Sequence, residues 1–175
     1  MVTSGINAQT YPTEQTVAGA LNATDVSVQF TAGATIVRFM PLEEELLRLM
    51  SPDTRSALTP LKDRIDDQTR FESTTERFAV LVTFFGLQPD AHFSPDEIQI
   101  LSRNQTFFPF DVKPITPQWH QHRVNQGESV SAVYWFPSGI TIWEPIEFVY
   151  GEHKTDDWSR IIPTLERERA RTGGN

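Results

Sequence analysis

The pair His120 and His122 is the feature of this chain that most resembles a metal site. One residue separates the two histidines, and in an extended segment such spacing puts both imidazoles on the same face, where they could share a metal ion. A third ligand would have to come from His92, Glu128 or Glu152. Two histidines on a polar loop are more often simply exposed to water. We therefore predict no metal site and no cofactor, and keep a metal-dependent enzyme as a third hypothesis.

Four tryptophans provide the other candidate chemistry, because β-sandwich modules commonly hold sugar rings on aromatic platforms. Trp135 lies in an apolar strand-like run and Trp158 begins an apolar helical stripe, so both are predicted to be core residues. Trp119 and Trp143 lie among polar residues and prolines in predicted loops. We predict these two as ligand-binding residues.

No residue pattern in the chain predicts catalysis. Acidic runs occur at Glu43 to Glu45, at Asp66-Asp67 and at Asp156-Asp157. Adjacent residues on a helix do not face each other, and acids at helix starts are explained by the helix dipole. Cysteine is absent, which excludes disulfides and thiolate chemistry. The sequence therefore predicts that the protein is not an enzyme and has no catalytic residues.

Composition limits the class of partner. The 175 residues are 38% hydrophobic and 22% charged, which suits one domain with one core. The 15 basic and 23 acidic residues give a net charge of −8, which opposes binding to nucleic acid. No apolar run approaches the roughly 20 residues of a membrane-spanning helix, and the N-terminus lacks signal-peptide features. We expect neither a nucleic-acid partner nor a transmembrane segment in this chain.

The first half of the chain predicts a hairpin followed by helices. Residues 25–30 alternate between polar and apolar, and a Gly-containing turn leads to a second strand at 35–40. Pro41 is predicted to begin a short helix whose apolar stripe contains Leu42, Leu46 and Leu49. A second helix should begin near Ser51, with an interruption at Pro60.

The second half predicts strands and then a helix. The apolar run 78–85 indicates a central strand, and further strands are predicted at 97–101, 106–112, 130–136 and 146–150, the last of the series. Pro109 places the predicted strand 106–112 at a sheet edge or in a bulge. The apolar spacing of Trp158, Ile161, Ile162 and Leu165 predicts a C-terminal helix with a kink at Pro163.

Three of these segments carry a family resemblance. They are the apolar strand 78–84, the run from Ser94 to Ile100, and the segment from Gly127 through Trp135-Phe136-Pro137. With them, the part of the chain from about Arg77 to Gly151 resembles the telokin-like, secreted immunoglobulin-like domains of bacterial lipoproteins, whose role is unassigned. The resemblance implies an immunoglobulin-like β-sandwich and no catalytic residues.

The predicted fold is thus mainly β, an immunoglobulin-like antiparallel β-sandwich of seven or eight strands with a short helical insertion and a C-terminal helix. We expect a flexible N-terminal tether at 1–24, a single domain at 25–170 and a disordered tail at 171–175. The helical insertion should occupy 41–68 and the terminal helix 155–170. Both helical stripes should dock on the sandwich of the isolated domain.

Function is predicted from these features together. The expected function is a non-enzymatic protein-interaction or structural module of the bacterial cell envelope, with a protein partner in a larger assembly. The alternative is a module that binds small ligands or carbohydrate through Trp119 and Trp143. The predicted tether at 1–24 and the family resemblance favour an extracytoplasmic location, either periplasmic or at the cell surface. A lipid anchor upstream of Met1 is compatible with this location. A cytoplasmic location stays open.

Overall fold

A computed structural model describes residues 17–69 and 77–173, and for residues 62–69 it describes the backbone alone. The described part of the chain contains eleven β-strands and three α-helices. The strands are β1 Val28–Ala32, β2 Thr35–Pro41, β3 Phe78–Gly86, β4 Ala91–His92, β5 Ile98–Ser102, β6 Gln105–Phe107, β7 Asp111–Pro114, β8 Arg123–Val124, β9 Ser129–Phe136, β10 Glu147–Tyr150 and β11 His153–Thr155. The α-helices are α1 Glu44–Leu49, α2 Pro52–Thr69 and α3 Trp158–Thr172.

Two antiparallel sheets form the body of the domain. One has the strand order β1-β2-β3-β9-β7 and the other β11-β10-β5-β6, while β4 and β8 form a small separate ribbon. Strand β3 pairs with β2 on one side and with β9 on the other. The prediction of a mainly β sandwich with a central strand at 78–85 is therefore confirmed.

The core lies between the two sheets because alternate residues of each strand face inward. Phe39 of β2 stacks on Phe148 of β10 with ring centroids 4.9 Å apart, and Phe84 of β3 meets Tyr150 of β10 edge-on at 5.1 Å. These rings join the sheets at two places along the sandwich. Trp135 is buried on β9, as its position in an apolar strand predicted.

The first hairpin forms as predicted, but its first strand begins later in the chain. Ala32 pairs with Thr35, so Gly33 and Ala34 make a two-residue turn, and Gly33 has a φ of +58° that suits glycine. The residues Ala23–Val26 form a 3-10 helix and not the start of a strand. The predicted start of β1 at Asp25 is thus wrong, since the strand begins at Val28.

The predicted count of seven or eight strands is too low, because the two-residue strands β4 and β8 were not predicted and for two further reasons. The predicted strand 106–112 is two strands, β6 and β7, which belong to different sheets and lie on either side of Pro109. Strand β11 follows the predicted last strand after a turn at Gly151, which has a φ of +58°. Short edge strands such as these carry little hydrophobic periodicity, so the sequence pattern did not reveal them.

The helical insertion forms, but Pro41 and Pro60 do not act as the sequence predicted. Pro41 is the last residue of β2 and does not begin α1, which starts at Glu44. The predicted interruption at Pro60 is also wrong, because α2 runs through this residue to Thr69. Leu58 and Leu61, on either side of Pro60, pack against the core. We attribute the continuity of α2 to this packing, which offsets the lost backbone hydrogen bond.

Both apolar helical stripes dock within the domain. Leu42, Leu46 and Leu49 are buried, and so are Trp158 and Leu165 of α3. Helices α1 and α3 also pack on each other. The expectation of intramolecular docking is therefore confirmed. In the described part of the chain, no helix is long and apolar enough to cross a membrane.

The predicted termini need correction where the structure describes them. Residues 1–16 of the predicted tether lie outside the described residues, but Leu21 is buried and pairs with Met50. The packed domain therefore begins before the predicted boundary at residue 25. Helix α3 starts at Trp158, three residues after the predicted start, and extends to Thr172, where Gly173 caps it with a φ of +75°. Two residues of the predicted disordered tail therefore belong to the helix.

Candidate functional site

Trp119, one of the two predicted ligand-binding residues, lies in the core. It is 3% exposed, with its ring 5.0 Å from that of Phe93, 5.8 Å from that of Phe84 and 6.1 Å from that of Tyr134. The prediction that Trp119 is accessible in a loop is wrong. Its polar neighbours belong to a short 3-10 helix, Pro117–Gln121, which turns the indole inward. In this conformation the ring cannot present a face to a sugar.

The backbone around the two candidate metal ligands differs from the predicted one. His120 lies in the same 3-10 helix, and His122 follows it in the left-handed region with a φ of 54°. The segment is not extended, so the spacing argument for a shared metal does not apply. The His122 ring lies 5.8 Å from that of Phe93. Within residues 17–61 and 77–173, no group of three or more potential ligands is placed to hold a metal ion.

Trp143 lies in a very different setting, half-buried beside a cleft of about 450 Å³. Its indole Nε1 donates a hydrogen bond to Glu45 of α1. The Arg169 guanidinium lies over its ring, 4.8 Å from the centroid. We call this space the Trp143 cleft; it is lined by residues 17–19, Glu45, Arg48, Arg55, Trp143 and Arg169, with the end of α3.

A clamp of hydrogen bonds joins α3 to the N-terminal segment beside this cleft. Glu168, almost fully buried, accepts hydrogen bonds from the Ala20 N–H at 2.6 Å and from Arg171 Nε at 2.9 Å. Arg171 also donates to the Ala18 carbonyl at 2.6 Å. The hydrogen bond from Arg171, aided by that from Ala20, holds the pKa of Glu168 below its ordinary value of 4.5. The clamp thus fixes the segment that forms one wall.

This clamp predicts a loss of stability in acid. Because the pKa of Glu168 is lowered in the folded protein, its contribution is complete above pH 4.5 and is lost as pH falls through the folded pKa. Glu168→Gln should therefore be less stable than the wild type at pH 7, with a difference that shrinks at low pH. Urea denaturation of both proteins between pH 3 and 7 measures it. A difference that stays constant with pH would contradict the prediction.

A second surface feature lies where the chain crosses between the sheets. Phe108 and Phe110, which flank Pro109, are 60% and 51% exposed. We call these three residues the aromatic corner. They connect β6 to β7, which are edge strands of the two different sheets. The Arg77 guanidinium lies 5.4 Å from the centroid of the Phe110 ring.

Sequence reasoning identified Trp143 but missed the aromatic corner and the arginines of the cleft, for different reasons. Adjacent residues of a strand face opposite ways, so the pair Phe107-Phe108 already required one ring to face outward. Phe107 is the buried one. In contrast, Arg48, Arg55 and Arg169 come from three different helices. No local spacing indicates that such residues line one cleft.

Comparison of the chain with protein-family models, curated proteins and solved structures gave no match. The immunoglobulin-like classification therefore stays a prediction, while the antiparallel sandwich is established by the sheets themselves. Function has to be argued from the two surface features.

Proposed function

We propose that this protein is a non-enzymatic protein-interaction module and that the aromatic corner is its main contact with a partner. The observation that carries the proposal is the exposure of Phe108 and Phe110. Among the residues whose side chains the structure describes, 17–61 and 77–173, large apolar side chains are exposed at only four positions, the other two being Val17 and Leu87. Aromatic residues are enriched in the centres of protein interfaces.

The expected energy of the contact is moderate. Burying a whole phenylalanine side chain is worth about 1.5–3 kcal/mol, and both rings of the corner are already about half covered. Completing their burial would contribute roughly 1.5–3 kcal/mol in total, which is less than the entropic cost of association. The corner therefore serves as an anchor, and further contacts must come from the surface around it.

The edge strands β6 and β7, which the aromatic corner joins, can supply further contacts with a partner. Their residues disfavour the pairing of a partner's strand along the sheet edge. Strand β7 ends in Pro114 and contains Lys113, and both residue types are typical of protected sheet edges. A partner is thus expected to bind through side-chain pockets that receive the two rings. Open-ended addition of strands along β7 is disfavoured.

The proposed setting is the bacterial cell envelope, as a periplasmic or surface lipoprotein domain that belongs to a larger assembly. The resemblance of the segment from Arg77 to Gly151 to secreted immunoglobulin-like domains supports this setting. The exposed corner supports the part of the proposal that concerns a protein partner.

The proposal is tested by site-specific cross-linking in cells that express the protein natively. A photoreactive phenylalanine analogue at position 108 should give a discrete cross-linked product, whereas the same analogue at the exposed control position Arg160 on α3 should not. Phe110→Ser should remove the product formed from position 108. Equal products from positions 108 and 160, or none from 108, would refute an anchor at the corner.

Stability provides the matched control. Because about half of each ring is already covered in the free protein, Phe108→Ser with Phe110→Ser should lower the free energy of unfolding by about 1.5–3 kcal/mol and leave the protein folded. Leu87→Ser, at a residue that is 39% exposed elsewhere on the surface, should leave the cross-linked product unchanged. Loss of the folded state in the double variant would show that the two rings serve the fold.

A further inference from the structure

We infer that the Trp143 cleft is a binding site for a small organic anion, a carboxylate or a phosphate monoester with an apolar part. The site differs from the aromatic corner in residues and in ligand, so either proposal can fail without the other.

The first support is the charge of the lining. Arg48, Arg55 and Arg169 line the cleft against one acid, Glu45. This local excess of positive charge occurs on a chain with a net charge of −8. A cleft whose charge opposes that of the whole protein concentrates anions from solution.

The second support is that two of these arginines have no carboxylate partner among the described side chains. Arg48 Nε lies 3.4 Å from Glu44 Oε1, and this ion pair reduces the attraction of Arg48 for an anionic ligand. Arg55 and Arg169, by contrast, form no ion pair with any carboxylate of residues 17–61 and 77–173, the residues whose side chains the structure describes. Guanidinium groups present a planar fork of N–H donors that matches a carboxylate or phosphate.

The third support is preorganisation. Arg169 stacks on Trp143, and the indole is itself held by its hydrogen bond to Glu45. A guanidinium stacked on an aromatic face keeps the N–H donors at its rim available for a ligand. Because the arginine is already positioned, less entropy is lost when an anion binds.

The cleft also has the size and the apolar surface for an organic ligand. Its volume of about 450 Å³ is within the usual range for small-molecule sites. Leu49, Val17 and the Trp143 ring contribute apolar surface next to the arginines. A bare inorganic ion would leave this surface uncovered, so an anion with an aromatic or aliphatic group should bind more tightly.

Binding is tested by calorimetry with four probes: phenylacetate, phenyl phosphate, inorganic phosphate and the neutral analogue phenylacetamide. Saturable binding is expected for one or both organic anions, with inorganic phosphate and the amide at least tenfold weaker. The stronger organic anion identifies the preferred headgroup. If the neutral amide binds as tightly as both anions, or if neither anion saturates at about 10 mM, the inference is overturned.

Variants locate the site. Arg169→Gln should weaken binding of the organic anion by at least tenfold, because one charge-assisted hydrogen bond is worth about that factor. Arg167→Gln, on the same helix but bonded to the Pro163 carbonyl outside the cleft, should leave the affinity unchanged. Unchanged affinity in Arg169→Gln would overturn the inference. If this variant is poorly folded, Arg55→Gln on the exposed surface of α2 provides the same test.

Discussion

Replacing Trp158 by alanine is expected to lower the free energy of unfolding by about 3–5 kcal/mol, the usual cost of truncating a fully buried aromatic residue. Trp158 is 0% exposed, and its ring lies edge-on to Phe148, 6.2 Å between centroids. Its Nε1 donates a hydrogen bond to the Ile142 carbonyl at 2.9 Å. Truncation would thus open a cavity where α3 meets the sandwich and leave a buried carbonyl without its donor.

Trp158→Phe separates these two contributions. This variant keeps most of the ring volume but removes the N–H, so a loss of about 1–3 kcal/mol is expected from the unpaired carbonyl and the smaller ring. Urea denaturation measures both variants. An unchanged urea midpoint in Trp158→Ala, together with loss of a co-purifying partner, would contradict a stabilising role of Trp158 and make α3 an interaction element.

The elements that the sequence predicted best are those with a long apolar pattern. Strands β3 and β9 have eight or more residues each and were placed within two residues of their observed bounds. Helix α3 has an apolar spacing that identified Trp158 and Leu165 as buried residues. In each of these elements, the intrinsic strand or helix propensity of the residues favours the same conformation as burial against the core. The hydrophobic pattern therefore predicts the element correctly.

The prolines show why other elements were placed wrongly. A proline ends a helix when nothing offsets its missing N–H, yet Pro60 lies within α2, where its neighbours Leu58 and Leu61 reach the core. Pro41 suits a first helical position but is paired with Val80 as the last residue of β2. The outcome at both positions depends on tertiary contacts, which a local pattern does not contain.

The candidate sites were hardly predictable for a related reason. Trp143 was identified from its polar surroundings, but the same criterion selected Trp119, which is buried against Phe84 and Phe93. Polar neighbours indicate a loop and do not indicate which way a ring within it points. The arginines of the Trp143 cleft meet only because three helices converge.

Gly86→Ala is the second substitution with a large expected effect, about 3 kcal/mol, near the upper end of the cost of overpacking a filled site. Gly86 ends β3, and its N–H donates to the Glu128 carbonyl at 3.1 Å while its carbonyl accepts from Gly127 at 3.1 Å. A Cβ at this position would lie 2.1 Å from the Asn125 carbonyl oxygen. The obstacle is backbone, so a rotamer change cannot relieve it.

Gly33→Ala is the matched control, because it isolates the cost of backbone conformation. Gly33 has a φ of +58° but nothing within 4 Å of an added Cβ, so its replacement should cost only about 1–2 kcal/mol. Gly86 carries no such conformational demand, and its larger expected loss arises from the contact with the turn that leads into β9. Urea denaturation of the two variants compares them directly. If Gly86→Ala proves no more destabilising than Gly33→Ala, the turn at residues 125–128 can move away from β3, and its close approach is not required for the fold.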